Sequence, residues 1–263
     1  MTPRPLSPTL SPEMENANRR AGVLLGVFAH PDDEAYGPGG TLARCAIEGI
    51  DVRLLLFTCG EAGTIGISKH LEREELCRRR RAELAASCEA LGVTGHRVIG
   101  LPDRRVAETP LKEGARLVLE EIRAIRPDVV VTFHREGVSG HPDHIAVHRF
   151  THEAFLRAGP EGPLKLYEWG VPRSRAPLYR ERRLFPVEDS EITTVVSVPP
   201  DAMERKIEAI RRHETQIEFY HELLRLFGDY REATAEEFFV LAASRMPRPG
   251  GAETHLFEGI PSM

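Results

Sequence analysis

The sequence predicts an α/β protein with a mostly parallel, Rossmann-like sheet flanked by helices and a C-terminal elaboration. Three observations predict it. Continuous apolar runs at 23–29 (VLLGVFA), 52–58 (VRLLLFT) and 128–133 (DVVVTF) suit strands covered on both faces. Stretches of helical length and periodicity separate them. Regular strand–helix alternation then calls for right-handed crossovers between parallel neighbours.

In chain order, the strand at 23–29 is followed by a helix over 39–49 and a second strand at 52–58. Residues 70–91 form a long, charged, amphipathic helix with Gly92 as its C-terminal stop. A short strand at 96–99 precedes a helix at 111–125 closed by Pro127, then the strand at 128–133 and a helix at 144–156. Further on, 164–169 and 192–198 are strand candidates, and 160–186, rich in Pro and Arg, is largely loop. Residues 202–227 read as one long helix with Ile207, Ile210, Ile217, Leu224 and Phe227 at helical spacing. No internal repeat or linker divides the chain, so 21–263 is expected to be a single domain. Residues 1–20 lack the apolar core of a signal peptide and are expected to be a flexible tail.

Hydrophobic residues at 41% and charged ones at 29% are ordinary for a soluble globular protein. A net charge of −5 provides no basic field for nucleic acid or a membrane surface, and no apolar run is long enough to span a bilayer. The Arg run at 78–81, among Glu72, Glu74, Glu75 and Glu83, reads as a solvated or ion-paired helix face. Cys45, Cys59, Cys77 and Cys88 form no C-x-x-C pair, which argues against a disulfide framework or a thiolate zinc site. The expectation is free thiols in a reducing cytoplasm, with Cys45, Cys77 and Cys88 packed in helices.

Two segments could carry chemistry. A-H-P-D-D-E at 29–34 follows the first buried strand, where open α/β sheets hold ligands beyond their strand ends. G-H-P-D-H at 140–144 follows another strand and opens a helix, with Pro142 and Asp143 suited to a first turn. Each alone also suits an ordinary helix start. Together they bring His and Asp to one sheet edge. Two His and one carboxylate would leave a zinc position open, with a spare acid and His for proton transfer.

A-H-P-D-D-E, T-C-G-E-A-G at 58–63 and S-G-H-P-D-H at 139–144 resemble the PIG-L/LmbE-like family, with support from R-R-A-E-L at 80–84, A-L-G-V at 90–93, L-P-D at 101–103 and R-H-E-T-Q at 212–216. The similarity covers roughly residues 22–220. It implies a zinc-dependent hydrolase in which a metal-bound water attacks the acetamide carbonyl of an N-acetyl amino sugar or its glycoside. By position it implies His30, Asp33 and His144 as Zn2+ ligands, Asp32 as general base, and His141 as general acid or carbonyl polariser, oriented by Asp143. Candidate substrate contacts are Glu61, Arg135 for an acidic group, and His213 on the late helix; a loop cap, a solvated charge and a buried hydrogen-bonded His are their respective alternatives. Ser139 stands where many mycothiol-pathway relatives carry a Tyr. The resemblance also implies a homo-oligomer, with hexamers among relatives. Rival activities are an amidase acting on a thiol conjugate or natural-product glycoside, and a non-catalytic metal-dependent sugar binder.

Overall fold

The computed structural model describes residues 22–64, 66–179, 183–247 and 250–261; the expected N-terminal tail lies outside them. β1 (Val23–Phe28) and β4 (Val129–Phe133) are buried along their whole length, as their unbroken apolar runs require. Around them lies one seven-stranded sheet of order β3-β2-β1-β4-β5-β7-β6, with β2 Asp51–Leu56, β3 Gly95–Val98, β5 Lys165–Gly170, β6 Thr194–Ser197 and β7 Glu236–Ser244. The β3-β2-β1-β4-β5 portion is parallel, and β7 pairs antiparallel with both β5 and β6.

The helices that matter here are α1 (Asp33–Tyr36), α2 (Gly39–Ile47), α3 (Arg73–Leu91), α4 (Leu111–Ile125), α5 (Pro142–Arg157), α6 (Pro200–Arg212) and α7 (Ile217–Phe227), with single turns at Gly137–Gly140 and Tyr230–Ala233. α4 packs on α5, whereas α6 packs on α2 and α3. The α4–α5 approach is close enough to need Gly114, since a Cβ there would stand 2.4 Å from the Phe150 ring. Gly92 ends α3 at φ 81, its N–H directed to the Cys88 and Glu89 carbonyls.

Three expectations change. The helix foreseen over 202–227 is broken: α6 stops at Arg212, a 3-10 turn covers Glu214–Gln216, and α7 restarts at Ile217. Buried side chains force the break, because His213 Nε2 reaches Glu34 Oε1 (2.6 Å) and Thr215 is held through its N–H and hydroxyl by Glu83. Second, β7 was not foreseen. E-E-F-F-V-L-A-A-S mixes helix and strand formers, and its pairing with β5 lies about 70 residues away. It also delivers Glu237, buried, whose carboxylate accepts from Gly40 N (2.8 Å) and Thr41 N (2.7 Å) at the start of α2.

Third, the four cysteines are not all thiols. Cys59, in the loop after β2, is disulfide-bonded to Cys77 on α3, and Cys45 and Cys88 are free and buried. The crossover folds α3 back over the end of β2, so residues 18 apart in sequence meet without a C-x-x-C spacing. Thiol titration of the unfolded, unreduced chain should count two groups, rising to four after reduction; four at the outset would refute the pairing. Closing such a loop contributes about 3 kcal/mol, so Cys77→Ser should lower the unfolding free energy by an amount of that order.

Candidate active site

Strand order reverses between β1 and β4, and the crevice beyond their carboxyl ends is where doubly wound sheets hold ligands. His30 follows β1 and Asp33 opens α1. His141 is the N-cap of α5, its Nδ1 accepting from Asp143 N (3.2 Å), with Pro142 in the first turn. The turn before it contains Val138 at φ 62 and brings Gly137 O within 3.0 Å of His144 Nδ1. A proton on Nδ1 shared with that carbonyl leaves the lone pair on Nε2. Phe133, the last residue of β4, stacks on the same ring at a 4.1 Å centroid distance.

His144 Nε2 lies 3.2 Å from His30 Nδ1 and 3.4 Å from Asp33 Oδ1. Ligands around a tetrahedral zinc at about 2.0–2.1 Å stand roughly 3.3–3.4 Å apart, so these separations fit a shared divalent ion. Asp33 is anchored by its other oxygen, which accepts from His30 N (2.7 Å). Against the opposing effect of burial, His144 and His30 hold the Asp33 carboxyl down to about 2, while burial lowers His144 to about 4. Deprotonated acid and neutral imidazole are the ligand forms metals take. His141 is a further donor, since nitrogens of His30, His141 and His144 lie within 4.8 Å of one another.

Asp32 has φ 121, a conformation L-residues rarely adopt, at a cost of about 1–3 kcal/mol. The surroundings maintain it: Glu34 Oε2 accepts from Asp32 N (3.0 Å), and Gln216 Nε2 donates to Asp32 Oδ2. Glu34, fully buried, is itself held by Ser87 Oγ (2.6 Å) and His213. Burial, then the charge of Asp33, pushes the Asp32 carboxyl up to about 7.

Asp143 does not take the place expected of it. Its carboxylate lies 3.3 Å from His30 Nε2 rather than orienting the His141 ring, and it is clamped by Arg104 N (2.8 Å) and Val106 N (3.1 Å). Asp103 Oδ1 approaches the same His30 nitrogen at 3.1 Å. Asp103 was missed as a site residue, although L-P-D follows a strand of the same sheet edge. Both acids therefore stand behind His30, the carboxylate–histidine arrangement that orients a metal ligand.

The other candidates are placed differently from the substrate contacts expected of them. Glu61 supports a loop, its Oε1 accepting from Asp103 N (2.8 Å), and it does not line the cavity. Arg135 is exposed and paired bidentate with Glu191 at 2.7 and 3.0 Å. His213 is completely buried against Glu34 and reaches the site only through that carboxylate. Within the Arg run, Arg78, Arg79 and Arg81 are exposed as expected, but Arg80 is buried and lines the cavity. Helical periodicity could have shown it, because Arg80 shares a face with Leu76, Leu84 and Ser87.

The cavity has a volume of about 640 Å³. It is lined by the His30–Asp33–His144 group with Asp32 and His141, and by Arg80, Arg104 and Ser139. Tyr36, Trp169, Phe219, Leu223, Phe227 and Tyr230 contribute an apolar part of the lining, much of it from the chain after the His213 break.

The family described as PIG-L, GlcNAc-PI de-N-acetylase, matches residues 25–155, the stretch holding both His-Pro-Asp segments. A 1D-myo-inositol 2-acetamido-2-deoxy-alpha-D-glucopyranoside deacetylase of Nocardiopsis dassonvillei is 37% identical over 89% of this chain and 99% of its own. The chain belongs to the PIG-L family. It is accordingly a hydrolase of amide C–N bonds. The PIG-L fold extends to solved structures of low identity. N,N'-diacetylchitobiose deacetylase of Pyrococcus horikoshii superposes with a TM-score of 0.62 at 21% identity, covering 83% of each chain. A 4-carboxy-2-hydroxymuconate hydratase from Pseudomonas putida reaches 0.65 at 18% identity, covering 87% of this chain and 99% of its own. The last likeness shows that this architecture alone does not specify a reaction.

Proposed function

We propose that the protein is a zinc-dependent N-deacetylase of an N-acetyl amino sugar or its glycoside. The observation that carries the reading is the close approach of His30 and Asp33 to His144 Nε2, at 3.2 and 3.4 Å, in the cavity lining that Asp32 shares. These three residues would hold the ion, which when bound supplies Lewis acidity and an acidified water. Asp103 and Asp143 hold the His30 ring from behind. Asp32, with a carboxyl near neutrality, takes the proton of the attacking water and can return it to the departing nitrogen. His141 starts neutral, lowered by burial and by neighbouring His30. Its Nδ1 accepts from Asp143 N, which leaves the ring proton on Nε2 as a hydrogen-bond donor for the carbonyl oxygen. Ser139 brings no phenol to that oxygen, so His141 is the donor assigned to it. The apolar wall suits the face of the sugar ring and an apolar group attached to it.

The test is acetate release by zinc-loaded protein from N-acetylglucosamine, its inositol and malate glycosides, diacetylchitobiose and an aryl glycoside. Release abolished by chelation and restored by zinc is expected, with the aryl glycoside preferred over free N-acetylglucosamine. Zinc-loaded protein that deacetylates none of them would overturn the reading. Among the described residues no helix is long and apolar enough to cross a membrane. A cytoplasmic location and a homo-oligomer remain part of the proposal, and the Cys59–Cys77 disulfide weighs against the first.

A further inference from the structure

A second cluster of histidines lies one helical turn beyond His144. His148 and His152, at i and i+4 on α5, face Glu168 of β5 with ring centroids 4.3 Å apart. His152 Nε2 is 2.7 Å and His148 Nδ1 3.6 Å from Glu168 Oε1, and His134 Nε2 is 3.7 Å from Oε2. One donor atom from each of His148, His152 and Glu168 lies within 4.8 Å of the others.

The hydrogen bonding of this cluster is incomplete. His134 is 1% exposed, yet neither ring nitrogen has a hydrogen-bond partner. His152 Nε2 meets Glu168 Oε1 at 2.7 Å, so the unmatched ring of the cluster is that of His134. A buried imidazole with both nitrogens unmatched is costly unless something else meets it. Glu168 is buried too, and among the described residues its ion-pair partners are all imidazoles.

We propose that His148, His152 and Glu168, with His134 as a fourth donor, form a second, structural site for a divalent transition metal. Imidazole-rich sites with one carboxylate take Zn2+, and also Co2+ or Ni2+. His148 Nδ1, the nitrogen toward Glu168 (3.6 Å), also lies 3.0 Å from Phe133 O, so binding a metal there would replace the Phe133 contact. His148, His152 and Glu168 converge within 4.8 Å of one another, and His134 Nε2, 3.7 Å from Glu168, is the nearest group for a fourth position. A site filled by protein donors in this way would be structural rather than catalytic. An ion there would tie α5 to β5. The start of α5 carries His141 and His144, and Trp169, next to Glu168 and on the opposite face of the strand, lines the active-site cavity.

The test is titration of metal-stripped, full-length protein with Co2+ alone, reading bound equivalents by equilibrium dialysis and visible absorption. Wild type is expected to bind two equivalents per chain. His152→Ala and Glu168→Gln should each bind one, His30→Ala one, and His30→Ala/His152→Ala none. In His30→Ala, Co2+ should raise Tm by mass action, and the rise should vanish in the double variant. One equivalent in wild type that survives in both His152→Ala and Glu168→Gln, or two equivalents in both of those variants, overturns the second site. This count stands apart from deacetylation, so its failure leaves the activity assay untouched.

Discussion

Asp32→Asn is expected to lower kcat by about 10²- to 10⁴-fold, the range contributed by a positioned general base, while the bound-metal count stays at the wild-type value. The substitution is nearly isosteric and keeps an oxygen for the Gln216 donor, so the supports of the residue survive. What is lost is a carboxylate able to accept a proton. The pH dependence follows with the same sign. A carboxyl raised to about 7 in the folded protein is inactive as a base below that value, so activity should climb as pH rises through it. A neighbouring dication favours the carboxylate, which moves the midpoint to or below 7. Steady-state acetate release across pH, beside metal analysis, measures both effects. An Asn variant with wild-type turnover and an unchanged acid limb would remove Asp32 from the role.

His144→Ala is expected to abolish measurable deacetylation and to weaken metal binding by more than the ~10–100-fold that loss of an outer-shell partner costs. His144 Nε2 is the atom shared by both close approaches, to His30 at 3.2 Å and Asp33 at 3.4 Å. Asp103→Asn and Asp143→Asn provide the contrast. Each removes a charge behind His30 without removing a ligand, so affinity should fall within that ~10–100-fold range. Competition against a chelating dye gives the order; a His144→Ala variant binding as tightly as wild type would dismiss the ligand assignment.

The strand–helix pattern was legible because buried parallel strands need continuous apolar runs, and β1 and β4 have them. α4 was legible to the residue, since its helical pattern over 111–125 and the stop at Pro127 coincide. β7 was not, because its partners β5 and β6 precede it by many residues and its Glu and Ala content suits a helix equally. The helix break at His213 was hidden for a related reason. Ile207, Ile210, Ile217 and Leu224 keep a plausible period across it, and only the buried Glu34 shows what the His213 imidazole is bonded to. That break sets Gln216 against Asp32 and turns α7 into the cavity wall.

By itself, the sequence determined the local chemistry of this protein: which residues follow which strand, and that His and Asp at 30–34 and 141–144 meet at one sheet edge. Local chain direction is set by nearest neighbours, so short motifs carry it. Only the tertiary structure decided which acid serves which ring. Asp143 and Asp103 stand behind His30, His213 acts through Glu34, and Glu61 and Arg135 are occupied with Asp103 N and Glu191. It likewise decided that Cys59 meets Cys77 and that Glu168 meets His148 and His152. Those pairings depend on how distant elements pack, and distances of 3 Å between residues about 20 to 180 positions apart leave no periodic trace in the chain.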